Sequence, residues 1–157
     1  MLITRKFMTK AVLIIDKDES VLSAYKIMFD NKIRHLPVIE KDGTVIGMLS
    51  DRDVQRAMVV DRANGEESEE VYLNHSKKVN DFMAPVAFTA LPETPLSSLI
   101  QEMMEKKISA VIIVDETLKC VGIVTSNDIM RVFLEQMSRN RQILEQPMSF
   151  FLSNTLY

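Results

Sequence analysis

Two short runs carry the residues best suited to hold a small molecule: Ser50-Asp51-Arg52-Asp53 and Thr125-Ser126-Asn127-Asp128. In each, a hydroxyl is followed three residues later by a carboxylate, just ahead of an apolar helical pattern. That spacing has two chemical uses. A hydroxyl at the N-cap with an acid one turn in makes a capping-box-like helix start, and the acid suits the positive helix end. The same helix end offers backbone N–H donors and a favourable dipole to a phosphate, while the carboxylate can accept both hydroxyls of a ribose. Spacing alone leaves both uses open. Arg34 and His35 stand directly before an apolar run, and Arg52, Arg56 and Arg131 lie on the helical segments. Each is a candidate for a phosphate and equally for plain solvated charge. Covalent chemistry is poorly provided for: His35 and His75 have no triad context, Cys120 sits inside an apolar run, and neither a Gly-rich phosphate loop nor a metal-ligand spacing occurs. The expectation is a protein that binds rather than catalyses.

The elements that position these residues occur twice. Sliding the chain by 75 positions puts Phe7 and Met8 on Phe82 and Met83, Met28 on Met103, Ile33 on Ile108, Gly47 on Gly122, Asp53 on Asp128 and Arg56 on Arg131, without a gap. The apolar pattern repeats with them, and pattern is what a fold constrains. Val21, Ala24, Tyr25, Met28 and Phe29 form a helical stripe matched by Leu96, Leu99, Ile100, Met103 and Met104. Two short β-branched runs follow each helix, Leu36 to Ile39 and Val45 to Leu49, then Val111 to Val114 and Val121 to Val124, and read as buried strands. Glu40 to Thr44, with Gly43, supplies a hairpin turn. Asp115 to Lys119 must turn without glycine. A second helix opens at Ser50 and at Thr125, with Val54, Ala57 and Met58 matched by Ile129, Val132 and Phe133, so each unit is β-α-β-β-α. Thr94-Pro95 suits a helix start, with Thr as N-cap and Pro first in the helix. Gly47 and Gly122 mark a close backbone approach, a bulge or tight packing.

Asp61 to Lys78, with Asn64-Gly65 and four glutamates, reads as a solvated linker that turns partly helical near Val71 to Val79. The tail from Ser138 to Tyr157 starts polar and turns apolar at Phe150, Phe151, Leu152 and Leu156. It suits docking on its own domain, a dimer mate or a partner. The expected divisions are 1–60, 61–78, 79–137 and 138–157.

The 157 residues are enough to bury a core unaided. With 19 basic and 22 acidic residues interspersed and a net charge of −3 at pH 7, no positive field gathers a nucleic-acid backbone. One cysteine has no intramolecular mate, the N-terminus has no signal-peptide pattern, and no run nears the ~18 apolar residues of a membrane span. A cytoplasmic protein without a membrane span is the expectation.

The segment Ile33 to Ile39, then Gly43, then Val45 to Val54, with its counterpart Ile108 to Val114 and Val121 to Ile129, resembles the core of a CBS domain. Lys6-Phe7-Met8-Thr9 and Asp81-Phe82-Met83-Ala84 resemble the family's lead-in motif. The resemblance runs from Lys6 to about Val132. It implies an α+β fold of two β-α-β-β-α CBS repeats packed in pseudo-twofold fashion, with two clefts between them for an adenosine compound. Asp53 and Asp128 would then hold ribose, and Ser50 and Thr125 ribose or phosphate. Arg34 and His35 would face phosphate, with Arg52, Arg56 and Arg131 as further candidates. Ile33, Ile108, Val12 and Ala87 would wall the adenine, with Thr9 nearby replaced by Ala84 in the other repeat. Ser109 and Ala110 stand opposite Arg34 and His35, so the clefts should differ in charge. AMP, ADP, ATP, a dinucleotide and S-adenosylmethionine all fit as ligands, with no cofactor required. The family also implies a homodimer and regulation of a separate partner protein. The competing reading is a ligand-free scaffold whose methionines, Met28, Met58, Met103, Met104, Met130 and Met137, form an adaptable interface.

Overall fold

The computed structural model describes residues 2–63 and 77–139, without the side chains of 58–63 and 139. The linker residues 64–76, including most of the stretch expected to turn helical near Val71, and the tail 140–157 lie outside the described residues. The first repeat contains β1 (Ile15–Asp16), α1 (Val21–Asn31), β2 (His35–Ile39), β3 (Val45–Ser50) and α2 (Asp51–Ala63). The second opens with a one-turn α3 (Val79–Phe82) and β4 (Ala84–Pro85). It continues through β5 (Thr89–Ala90), α4 (Leu96–Glu105), β6 (Ala110–Val114), β7 (Cys120–Thr125) and α5 (Ser126–Arg139). Two β-α-β-β-α units are present, and α2 continues to Ala63, past Asp61 where the linker was expected to open. No helix among the described residues is long and apolar enough to cross a membrane.

Within each unit the first strand pairs parallel to the second, Ile15 on Val38 and Thr89 on Ile112, and the second and third form an antiparallel hairpin. The crossover helices bury Val21, Ala24 and Met28 in α1 and Leu96, Leu99 and Met103 in α4. The buried stripe is narrower than its periodicity suggests. Phe29 and Met104, at matching positions, are 70% and 69% exposed, and Tyr25 also reaches solvent. Met28 and Met103 belong to the core, which removes them from any interface.

Thr94 does not cap α4. Pro95 occupies the N-cap position, and the Thr94 hydroxyl accepts instead from Leu91 N–H at 3.1 Å. Ser20, which the sequence reading did not single out, caps α1, its hydroxyl accepting from Ser23 N–H at 3.0 Å.

Both hairpins need one residue in left-handed backbone. Gly43 supplies it at φ 84°, and Leu118, 75 positions on, supplies it at φ 61°. Asp115 Oδ1 holds that second turn by accepting from Thr117 N–H at 2.8 Å and Lys119 N–H at 3.0 Å. A leucine in this region is strained by about 1 kcal/mol, and Leu118 is 53% exposed, with little packing to offset it. Leu118→Gly is therefore expected to raise stability by up to ~1 kcal/mol, read from urea midpoints. A loss of stability would show that the leucine side chain holds the turn.

The two units exchange their lead-in segments. β4, in the lead-in of the second unit, adds to the first unit's sheet beside β3, with Gly47 opposite Pro85. Reciprocally, Thr9 bridges Ile123 of β7, with N–H donors in both directions at 2.9 and 3.0 Å. Backbone bonds between the units come in matched pairs. Val79 N–H donates to Glu19 O and Thr4 N–H to Thr94 O. Val21 N–H donates to Lys77 O and Leu96 N–H to Leu2 O. Every residue in one bond of a pair lies 75 positions from its counterpart in the other, which is the signature of a pseudo-twofold axis. Val79 is wholly buried in the first unit's core, and Met8 packs on the second's. Neither core is complete without the other unit.

Candidate functional site

The exchange brings the end of one unit's β3–α2 segment against the start of the other unit's β2 equivalent, and a cleft opens at each junction. The larger, of about 500 Å³, gathers Thr125, Asp128 and Arg131 from the second unit with Thr9, Ile33, Arg34, His35, Ser50 and Arg52 from the first. Next to it is an apolar recess of about 330 Å³, which shares Thr9, Ile33, His35 and Ile123 with it and adds Val12 and Leu13. The smaller cleft, of about 210 Å³, gathers Asp53, Ser50 and His35 with Ile108, Ser109 and Ala87. Each aspartate thus faces the isoleucine of the other repeat, a grouping the linear sequence did not reveal.

The capping geometry is present at both helices. Asp53 Oδ2 accepts from Ser50 N–H at 2.8 Å and from its hydroxyl at 2.6 Å. Asp128 Oδ2 accepts from Thr125 N–H and hydroxyl at the same two distances. The other carboxylate oxygen decides what remains for a ligand. Asp53 Oδ1 lies 3.2 Å from Arg56 Nη2, which also donates to Phe82 O at 2.8 Å. Asp128 Oδ1 has no partner among the described residues, although Arg131 repeats Arg56. Capping and ligand binding are therefore compatible at Asp128, one oxygen for each, whereas Arg56 has to yield before Asp53 can bind through Oδ1.

The helix ends offer fewer backbone donors than expected. Asp51 N–H donates to Arg34 O at 3.0 Å, Arg52 N–H to Asp51 Oδ1 at 3.0 Å, and Ser126 N–H to Ser109 O at 2.9 Å. A phosphate here would rest mainly on side chains. The larger cleft supplies them: Lys32, Arg34, Arg52 and Arg131 against Asp51 and Asp128. The smaller sets Lys107 against Asp53. Burial works to raise the Asp51 carboxyl, but the 2.8 Å bond and the charge of Arg34 outweigh it and hold the group below its usual range. Burial pushes the His35 imidazole down, with Arg34 and Arg52 adding to the effect and Asp51 and Asp53 opposing it. His35 Nε2 lies 3.2 Å from Ser109 Oγ. Burial also raises the Cys120 thiol, away from nucleophilic use.

Lys32 and Lys107 were missed by the sequence reading. Both line clefts, both stand in left-handed backbone at φ 53° and 54° just after a crossover helix, and they lie 75 positions apart. The signal was available in the Lys-Ile pair that precedes each hairpin. Asn127 and Ser126 also line the larger cleft, inside the motif but overlooked as contacts.

CBS-domain family models match residues 4–60 and 79–135. Among curated relatives, homoserine O-acetyltransferase of Methanococcoides burtonii is 29% identical over 125 residues, covering 80% of this chain and 23% of that one. The chain spans 20 to 23% of the length of the first four such relatives. A CBS domain pair solved in complex with 5′-methylthioadenosine and S-adenosyl-L-methionine superposes at a TM-score of 0.74 with 25% identity, covering 87% of this chain and 98% of that one. CBSX2 in complex with AMP superposes at 0.69 with 25% identity, covering 86% and 98%. Two matched domains, the reciprocal sheets and the neighbours' architecture converge, and the chain belongs to the CBS domain family as a tandem pair.

Proposed function

We propose that this chain is a cytoplasmic regulatory module that binds an adenine nucleotide or another adenosine derivative, a phosphate-bearing one by preference, in the Asp128 cleft and signals its occupancy to a partner protein, without catalysing a reaction. The observation that carries the reading is Asp128, whose Oδ1 has no partner among the described residues, lining a cleft with four cationic side chains and an adjoining apolar recess. Ribose hydroxyls suit the carboxylate, phosphate suits Lys32, Arg34, Arg52 and Arg131, and adenine suits the recess walled by Val12 and Ile33. The adenosine ligands of the two neighbouring structures support the ligand class. AMP, ADP, ATP and S-adenosylmethionine all remain within it, and no other cofactor is required.

Charge predicts the order of affinity. AMP should bind at least tenfold more tightly than adenosine, since each charge-assisted contact to phosphate is worth about 1.5 to 3 kcal/mol, and raising salt should narrow the gap. Equilibrium dialysis with AMP and adenosine at two ionic strengths measures this. Equal affinities would remove the cations from the site.

Homodimerisation is part of the same proposal, resting on Phe29 and Met104, the exposed residues of the two crossover helices. The scaffold reading has one observation of its own, the row Met130, Phe133 and Leu134 on α5, each more than half exposed. A protein that dimerised yet bound no nucleotide would favour it.

A further inference from the structure

The two clefts have one wall in common. His35, Ser50 and Ser109 line both. Across that wall the His35 Nε2 to Ser109 Oγ bond joins β2 of the first unit to the residue before β6 of the second. It has no pseudo-twofold counterpart, because the matching residues are Ala110 and Arg34, and alanine has no polar side chain to bond. The bridge is therefore an asymmetric device laid across a nearly symmetric core.

We propose that the His35–Ser109 bridge couples the clefts, so that a phosphate-bearing adenosyl ligand in the Asp128 cleft raises the affinity of the Asp53 cleft for a phosphate-free adenosyl ligand. The inference rests on the reading that phosphate enters the Asp128 cleft. A phosphate dianion only accepts hydrogen bonds, so it favours the tautomer with the proton on His35 Nε2 and competes with Ser109 Oγ for that N–H. A ring turned toward phosphate leaves the wall of the smaller cleft, which at about 210 Å³ has the less room to give. Ser109 Oγ is then released to a ligand on that side. Both changes favour occupancy of the Asp53 cleft. Lys107 is the one Lys or Arg lining it among the described residues, which suits a ligand without phosphate, and Arg56 yields Asp53 Oδ1 to the ribose of that ligand. Linkage makes the effect reciprocal: adenosine in the Asp53 cleft tightens AMP in the other by the same factor.

The test is calorimetric titration of adenosine into the full chain, alone and saturated with AMP, with Asp53→Asn identifying the heat that belongs to the Asp53 cleft. The Asp53-dependent Kd is expected to fall about fivefold or more when AMP is bound. In Ser109→Ala the ratio of the two constants should return to about one, whatever the variant does to either affinity by itself. An unchanged Kd in the wild type overturns the proposal, as does a ratio that survives Ser109→Ala. If AMP itself fails to bind, the site reading falls, and the coupling with it.

Discussion

Asp128→Asn should weaken AMP binding by about ten- to a hundredfold while leaving the fold nearly as stable as the wild type. The asparagine carbonyl can still accept from Thr125 N–H and hydroxyl, the two bonds that start α5. Its amide replaces the free Oδ1 with a donor, and losing a charged acceptor for ribose costs roughly 1.5 to 3 kcal/mol. Asp128→Ala should lose the same affinity and also about 0.5 to 2 kcal/mol of stability, because the helix start goes with it. Asp53→Asn should leave AMP affinity within about twofold, since Arg56 already occupies that carboxylate. Calorimetry with AMP on the three variants, beside denaturant midpoints, separates capping from binding. Equal losses of AMP affinity at both aspartates would show that Arg56 is no obstacle and that both clefts take nucleotide.

Gly47→Ala should cost about 1 to 3 kcal/mol and lower the melting temperature by roughly 3 to 10 °C. A Cβ at Gly47 would come 2.5 Å from Met83 Sδ and 3.0 Å from Ala84 O, so a side chain and a backbone atom both stand in its way. At Gly122 the three nearest atoms all belong to Met8, with Sδ at 2.6 Å, Cγ at 3.0 Å and Cβ at 3.2 Å. The two sites therefore differ in how they can be rescued. With Met8→Ala in place, Gly122→Ala should lose most of its cost, since only the residue-8 Cβ at 3.2 Å remains of the three nearest atoms, whereas Gly47→Ala should keep more of its cost on a Met83→Ala background because Ala84 O remains at 3.0 Å. Thermal melts of the four single and two double variants measure the difference. Harmless single substitutions would mean that the lead-in segments do not lie on the sheets as described.

These glycines show where a linear reading succeeds and where it stops. Their recurrence at the same spacing as the Phe-Met pairs was plain in the sequence, because a repeated fold repeats its constraints. That Met83 covers Gly47 and Met8 covers Gly122 was not, since the strand a segment joins is a non-local choice that periodicity does not encode. The crossover helices were legible from their buried residues, but not the solvent exposure of Phe29 and Met104, which depends on what lies beyond the sheet. The site residues were legible by type. Their grouping was not, because Asp128 meets Arg34 and His35 only through the pseudo-twofold packing. Nor could identical Asp and Arg pairs, Asp53 with Arg56 and Asp128 with Arg131, reveal that only the first is closed. Arg56 also reaches Phe82 O, a contact made by the exchanged lead-in segment.

The central claim is that an adenine nucleotide is a ligand of the folded chain, and the thermal shift of the wild type with AMP tests it most directly. At a hundred times its Kd, a ligand bound only to the folded state adds about 2.7 kcal/mol, which for a chain of this size raises the melting temperature by roughly 5 to 10 °C. That rise is expected with AMP, and its loss in Asp128→Asn at the same concentration. An unshifted melt of the wild type at millimolar AMP would contradict the claim.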